Sequence, residues 1–204
     1  MPKKKQEKKL AKATAAQAIG KAILGLVSEV PTSHEAQSPT PHERAREIQI
    51  AGALRAAGVS GALALPPGPF ALLTILPDLG AVWKLQAQMV ADIAAAYGKT
   101  AKLSQEQMLY CLFRHAAAQA FRDVTLRVGE RLVFRPATMR VLQKLGERVG
   151  VKLTQRVIAK SVAKWLPVVG AVGVGAYAYY DTTQVGATAI ELFEQDFEIT
   201  SAEP

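Results

Sequence analysis

Cysteine is almost absent from this chain. Cys111 stands alone, so no disulfide can form within the molecule. A disulfide-stapled secreted fold is thereby excluded, and a reducing compartment fits. Aromatic residues reach only 6% of the 204 residues. They do not interleave with the basic ladder from Arg140 to Lys164, as stacking on bases requires, so nucleic acid is disfavoured as a partner. The histidines are His34, His42 and His115. There is no HExxH, no paired CxxC, no GxSxG and no phosphate-binding lysine loop. No metal site, no cofactor and no catalytic residue is expected on that ground. The lysines at the start are not followed by a continuous apolar run of about 7–15 residues with a cleavage site, so no signal peptide is expected. No segment alternates as a strand would, and no internal repeat is found.

Charge of one sign is missing at each end. Lys3, Lys4, Lys5, Lys8, Lys9 and Lys12 face only Glu7 in the first twelve residues. From Glu191 onward come Glu194, Asp196, Glu198 and Glu203, with no lysine or arginine. The net charge of +8 thus points to an anionic partner for the basic end.

What the chain does have is apolar residues, at 50%, rich in Ala, Leu and Val. That suffices for a core, and small apolar faces favour packed helices. Two blocks dominate. Residues 56–77 carry no charge, and residues 61–98 hold only Asp78, Lys84 and Asp92. Trp165 to Ile190 holds only Asp181. Both blocks are long enough to raise a membrane, yet both are too interrupted by Pro and Gly for ordinary spanning helices.

The spacing predicts a basic amphipathic helix over 5–29, then a linker from Pro31 to Pro41 that lets it move independently. Helices are expected over 42–57 and over 79–97, the latter capped by Asp78 and ended by Gly98. Ser104-x-x-Gln107 is a capping box for the next helix, whose period holds through Val124. Shorter helices should follow over 139–150 and 151–164, and a last one over 172–193. Pro66, Pro67, Pro69, Pro77, Pro136 and Pro167 imply breaks or kinks between them.

Arg140, Lys144, Arg148, Lys152, Arg156, Lys160 and Lys164 recur every four residues. Each step overshoots a helical turn by about 40°, so the stripe would wind into the apolar face of one straight helix. A bend near 146–150 is expected to resolve this. The ladder reads either as a solvated face or as a surface for anionic lipid. Gly170, Gly173, Gly175, Ala176 and Ala178 form a small-residue run suited to close helix packing. The GxGxxA pattern inside it has no preceding strand and is not a dinucleotide fingerprint. Cys111 and His115 lie four apart and could touch, which leaves a cryptic cysteine hydrolase as a weak alternative. Trp83 and Trp165, with Tyr177, Tyr179 and Tyr180, are the candidates for a membrane interface.

The order and spacing of these elements resemble the EcsC protein family of bacteria. Leu65-Pro66 through Leu76-Pro77-Asp78-Leu79, Leu85 to Ile93 and Tyr97-Gly98 carry one part of the resemblance. Leu145-Gly146, Trp165-Leu166-Pro167-Val168-Val169-Gly170 and Gly186 to Phe193 carry the other. The resemblance implies a helical domain without established enzymatic activity. The family is named after a gene beside an ABC transporter, which implies membrane-linked physiology. The family pattern has an Asp four residues before a Thr in the last helix. Aligned on Thr182 and Gly186, this chain has Ala178 there, with Asp181 close by.

The expectation is an all-α protein of about six to eight kinked helices. Its parts are a basic helix and linker over 1–42, an EcsC-like domain over 43–197 and an acidic tail over 198–204. It is expected to lie peripherally on the cytoplasmic face of the inner membrane, without catalysis. Its partner would be anionic lipid, met by the N-terminal lysines and the ladder, or a membrane protein linked to transport or secretion. A soluble interaction module without lipid contact is the alternative.

Overall fold

The computed structural model describes residues 14, 17–18, 20–25, 30–63, 71–121, 125–128, 131–134, 139–160, 167–195 and 198–199. Residues 20–25 are helical. The helices that follow are α1 (Pro41–Leu63), α2 (Ala71–Ala96), α3 (Gln105–Ala117), α4 (Met139–Lys160) and α5 (Pro167–Glu194). The fold is all-α, with one small sheet attached.

Local chemistry sets several boundaries. Ser104 accepts from the Gln107 N–H while the Gln107 side chain accepts from the Ser104 N–H, so the capping box is formed. Gly98 has φ +67°, and its N–H reaches Ala95 O at 2.8 Å while the Lys99 N–H reaches Ala94 O at 2.8 Å. That pattern satisfies the last carbonyls of α2 as expected. Pro41 and Pro167 each stand first in their helix, where a missing N–H costs nothing.

Elsewhere tertiary packing overrides the local signals. Helix α1 continues past Ala57 through Gly58 and Gly61. Helix α2 starts at Ala71 and runs through Pro77, so Asp78 is not its cap. A proline removes one hydrogen bond without forbidding helix on both sides of it. The expected division into two helices near 146–150 is absent, since α4 is one helix from Met139 to Lys160. Helix α5 begins five residues earlier than expected, at Pro167.

The largest departure follows α3. The helical period does run on to Val124, but the helix stops at Ala117, and a 3-10 turn covers Ala118–Phe121. Strands β1 (Thr125–Val128) and β2 (Arg131–Phe134) then pair antiparallel, with Thr125 opposite Phe134 and Val128 opposite Arg131. Strand β3 (Glu198–Ile199) joins β2 in parallel, so the start of the acidic tail is tied to the domain.

Aromatic contacts bind the centre. Trp83 of α2 meets Phe113 of α3 edge-to-face with centroids 5.4 Å apart. Tyr110 takes Phe121 at 5.6 Å and Phe134 at 5.3 Å in the same geometry, which fastens the hairpin to α3. Val90, Ile93, Met108, Leu109 and Leu112 fill the space around them.

Helices α1 and α5 pack antiparallel through small residues. A Cβ on Gly175 would stand 3.1 Å from the Ala57 carbonyl oxygen, and one on Gly186 would stand 2.5 Å from Gln49 Cγ. Ala45, Ala53 and Ala56 are buried on α1, and Ala178, Thr182, Val185 and Ala189 on α5. Gln49 Nε2 donates to Thr183 O at 2.7 Å across the seam. A second close approach joins residues 20–25 to α4. A Cβ on Gly146 would lie 3.3 Å from Gly20 O and 3.3 Å from Leu24 Cγ, and Ile23 is fully buried in the core.

Candidate functional site

The first half of α5 is the most unusual surface of the molecule. No charge occurs from Trp165 to Tyr180. Within this stretch Val172 is 70% exposed, Tyr180 60%, and Tyr177 and Tyr179 39% each. The contacts of Gly175 with Ala57 and of Gly186 with Gln49 fix the register of α5 against α1. They place Leu54, itself 60% exposed, level with Tyr180. Ile50 lies one turn before Leu54 and is likewise exposed. Two neighbouring helices thus each present apolar side chains to solvent at one level. Exposed apolar patches of this kind mark interaction surfaces.

The ladder helix is α4. Lys144, Arg148 and Lys152 lie on its exposed side, while Leu142, Leu145, Val149 and the two glycines Gly146 and Gly150 are covered. The approach of Gly20 and Leu24 is why Gly146 is needed. Arg140, Arg156 and Lys160 follow the same backbone spacing along α4. Lys164, Trp165 and Lys3, Lys4, Lys5, Lys8, Lys9 and Lys12 lie outside the described residues. Only residues 161–166 separate the end of α4 from the start of α5. The basic helix and the uncharged half-helix are therefore consecutive, within about 25 Å of chain from Lys160 to Pro167.

Other expected residues are placed differently. Trp83 is buried against Phe113 at 4% exposure, so it is a core residue and not an interfacial one. Gly175 and Ala178 do pack closely, and Gly170 lies in the backbone of α5. Gly173 and Ala176 do not take part, because the helical period turns them outward, and a Cβ on Gly173 would meet nothing within 4 Å.

Between α2, α3 and α5 sits a polar cluster that sequence alone does not assemble. His115 Nε2 and Asp181 Oδ1 are 2.8 Å apart. Gln86 Nε2 donates to Asp181 Oδ2 at 3.0 Å and to Thr182 Oγ1 at 3.1 Å. Gln86 and Thr182 are fully buried. Asp181 interrupts the apolar run and points inward, and that interruption is the one signal the sequence offers. Gln86 Oε1 and His115 Nδ1 are enclosed without a protein partner. With Nε2 held by Asp181 and Nδ1 enclosed, this imidazole joins helices and offers no open nitrogen to a reactant. Cys111 is fully buried, and that burial pushes its thiol well above the usual range. A protonated, enclosed thiol is a poor nucleophile, so the Cys111–His115 hydrolase loses its main support. Among the described residues no group of His, Cys, Asp or Glu is arranged to hold a metal ion.

The proline-rich segment forms neither helix nor strand, as expected, but it is docked. Ser33 Oγ donates to Asp92 Oδ1 at 2.7 Å and accepts from the Glu35 N–H at 3.0 Å. Gln88 Nε2 donates to that same Asp92 oxygen at 2.9 Å and to Thr32 O at 3.1 Å. The Ser38 N–H donates to Ala96 O at 3.0 Å, and Gln37 lies over Gly98. Arg44 holds Glu35 through both carboxylate oxygens, at 2.9 and 3.2 Å. These bonds keep the Glu35 carboxyl below the ordinary glutamate range. Residues 30–40 are a strap across α2, not a free linker.

Among the described residues, no helix is long and apolar enough to cross a membrane. No curated protein and no solved structure matches the chain. The model of one family, described as the EcsC protein family, matches residues 2–195, which takes in the N-terminal segment as well as the two apolar blocks. The chain therefore belongs to the EcsC protein family.

Proposed function

We propose that this protein associates peripherally with an anionic membrane surface, on the cytoplasmic side, and acts there without catalysis in support of transport or secretion. The observation that carries the reading is the exposed, uncharged face of α5, with Val172, Tyr177, Tyr179 and Tyr180, beside Ile50 and Leu54 of α1. Tyrosine suits the boundary between headgroups and acyl chains, since its ring is apolar and its hydroxyl is not.

The magnitudes favour cooperation between this face and the basic residues. Burying one exposed Val or Leu side chain contributes about 1.5–3 kcal/mol, less for one already half covered. One lysine or arginine near an anionic surface contributes about 1 kcal/mol. Either set alone gives weak, reversible binding, and the two together hold a protein at the surface. The +8 net charge and the ladder of α4, which leads directly into α5, supply the second set.

Flotation with vesicles tests the reading. The protein should rise with phosphatidylglycerol-containing vesicles at low salt and remain below with phosphatidylcholine alone. Replacing Val172 and Tyr180 together by Asp should reduce flotation at least tenfold. Wild-type protein that stays at the bottom of the anionic gradient at low salt would overturn it and favour a soluble interaction module, with the same face meeting a protein.

A further inference from the structure

The strap and the segment before it differ in what holds them. Residues 20–25 dock through apolar contact, with Ile23 in the core and Leu24 on Gly146. Residues 32–38 dock through hydrogen bonds at the surface, and Asp92 Oδ1 accepts both from Ser33 of the strap and from Gln88 of its own helix. Gln88 also binds the strap directly through Thr32 O. Removing the Asp92 carboxylate therefore loosens Ser33 and deprives Gln88 of its orientation at once. The chain direction matters too. The strap follows residues 20–25 in the chain, so its docking raises the effective concentration of that segment at α4.

We propose that Asp92 is the catch of a releasable strap, whose opening frees residues 20–25 from α4 for an anionic lipid surface. The lipid half of this inference rests on the membrane reading above. The catch itself does not. On release, Ile23 and Leu24 leave their contacts with the core and Gly146. A segment with an apolar side and preceding lysines suits an interface between headgroup and acyl chain. The strip on α4 around Gly146 is uncovered at the same time. The catch is polar and half-buried, and that is the kind of contact water and ions compete for.

The experiment uses the full chain with Asp92→Ala, and Gln88→Ala as a second opening variant. Amide exchange is read at residues 20–25 and 32–38, and partition is read onto phosphatidylglycerol vesicles. Exchange in both segments should accelerate about tenfold while the amides of α3 keep their protection. Partition should rise at least threefold. Unchanged exchange at residues 20–25 in both variants would overturn the catch. Faster exchange with unchanged partition, in a protein whose wild type binds vesicles, would overturn the release to lipid. If the wild type and both variants all fail to bind vesicles, the membrane reading falls, and faster exchange at residues 20–25 still supports the catch.

Discussion

Helix α2 and the first half of α5 come from apolar blocks of similar composition, yet they end in opposite surroundings. On α2, Val82, Trp83, Ala87, Met89, Val90, Ala91, Ile93, Ala94 and Ala95 are all buried, because α1, α3, α5 and the strap surround it. On α5, Val172, Tyr177, Tyr179 and Tyr180 stay exposed, while Gly175, Ala178 and Thr182 are buried. Hydropathy measures what a residue prefers. It does not say whether the fold has enough partners to cover it. The exposed residues of α5 are therefore the ones that carry functional information.

Unfolding measurements should separate the two regions most sharply. Trp83→Ala should cost about 3–5 kcal/mol by urea denaturation, since it empties the Phe113 contact. Tyr180→Ser should stay within about 0.5 kcal/mol, as exposed positions do. Equal losses at both sites would abolish the distinction.

Within α5 itself the two faces should differ by a smaller amount. Gly175→Val should destabilise by about 1–3 kcal/mol, because its Cβ meets the Ala57 carbonyl at 3.1 Å. Gly173→Ala, in open space on the same helix, should stabilise by about 0.4–1 kcal/mol. Thermal melts of the pair should shift in opposite directions, and shifts of the same sign would move the packing seam off Gly175.

Cys111 reports on the buried side of the comparison through kinetics. Its thiol is enclosed and its titration is displaced upward by burial, so alkylation near neutral pH should be slow in the native protein. The rate should rise in step with unfolding in Trp83→Ala. A fast, selective reaction in the folded wild type would place the thiol at the surface.

The smallest effect concerns the strap. The Arg44 hydrogen bonds lower the folded-state titration of Glu35 below the ordinary 4.5. A depressed carboxyl contributes stability above its unfolded value and loses it as pH falls through the folded one. The amide protection factors at residues 32–38, with the intrinsic pH dependence of exchange divided out, should therefore stay constant above about pH 5. They should fall below pH 4.5.

Signals carried by adjacent residues are legible without coordinates. The Ser104 capping box, the left-handed Gly98 and the helical period of residues 139–160 all reside in a few neighbouring positions, and the family's motifs hold their order. The hairpin is not legible, because four-residue strands show too little alternation and Phe121 continues the period of α3. Its one local trace is Gly129-Glu130, a two-residue link with glycine first, which tight hairpin turns favour. The strap reads as a linker since prolines deny helix, although denying helix does not deny docking. Of the candidate site, Tyr177, Tyr179, Tyr180 and the ladder are visible as residue types, while Ile50 and Leu54 look like ordinary core positions.

The sequence by itself determined the helical class, the uneven charge and the presence of two uncharged blocks, since composition and periodicity act within a few turns of chain. Only the tertiary structure decided that Val82 to Ala95 would line the core while Val172 and Tyr180 stayed exposed, that Asp92 would catch Ser33 and that Asp181 would turn inward to His115. Those outcomes depend on which helix faces come together across the fold, and contacts between residues 59 and 66 positions apart leave no mark on either segment alone.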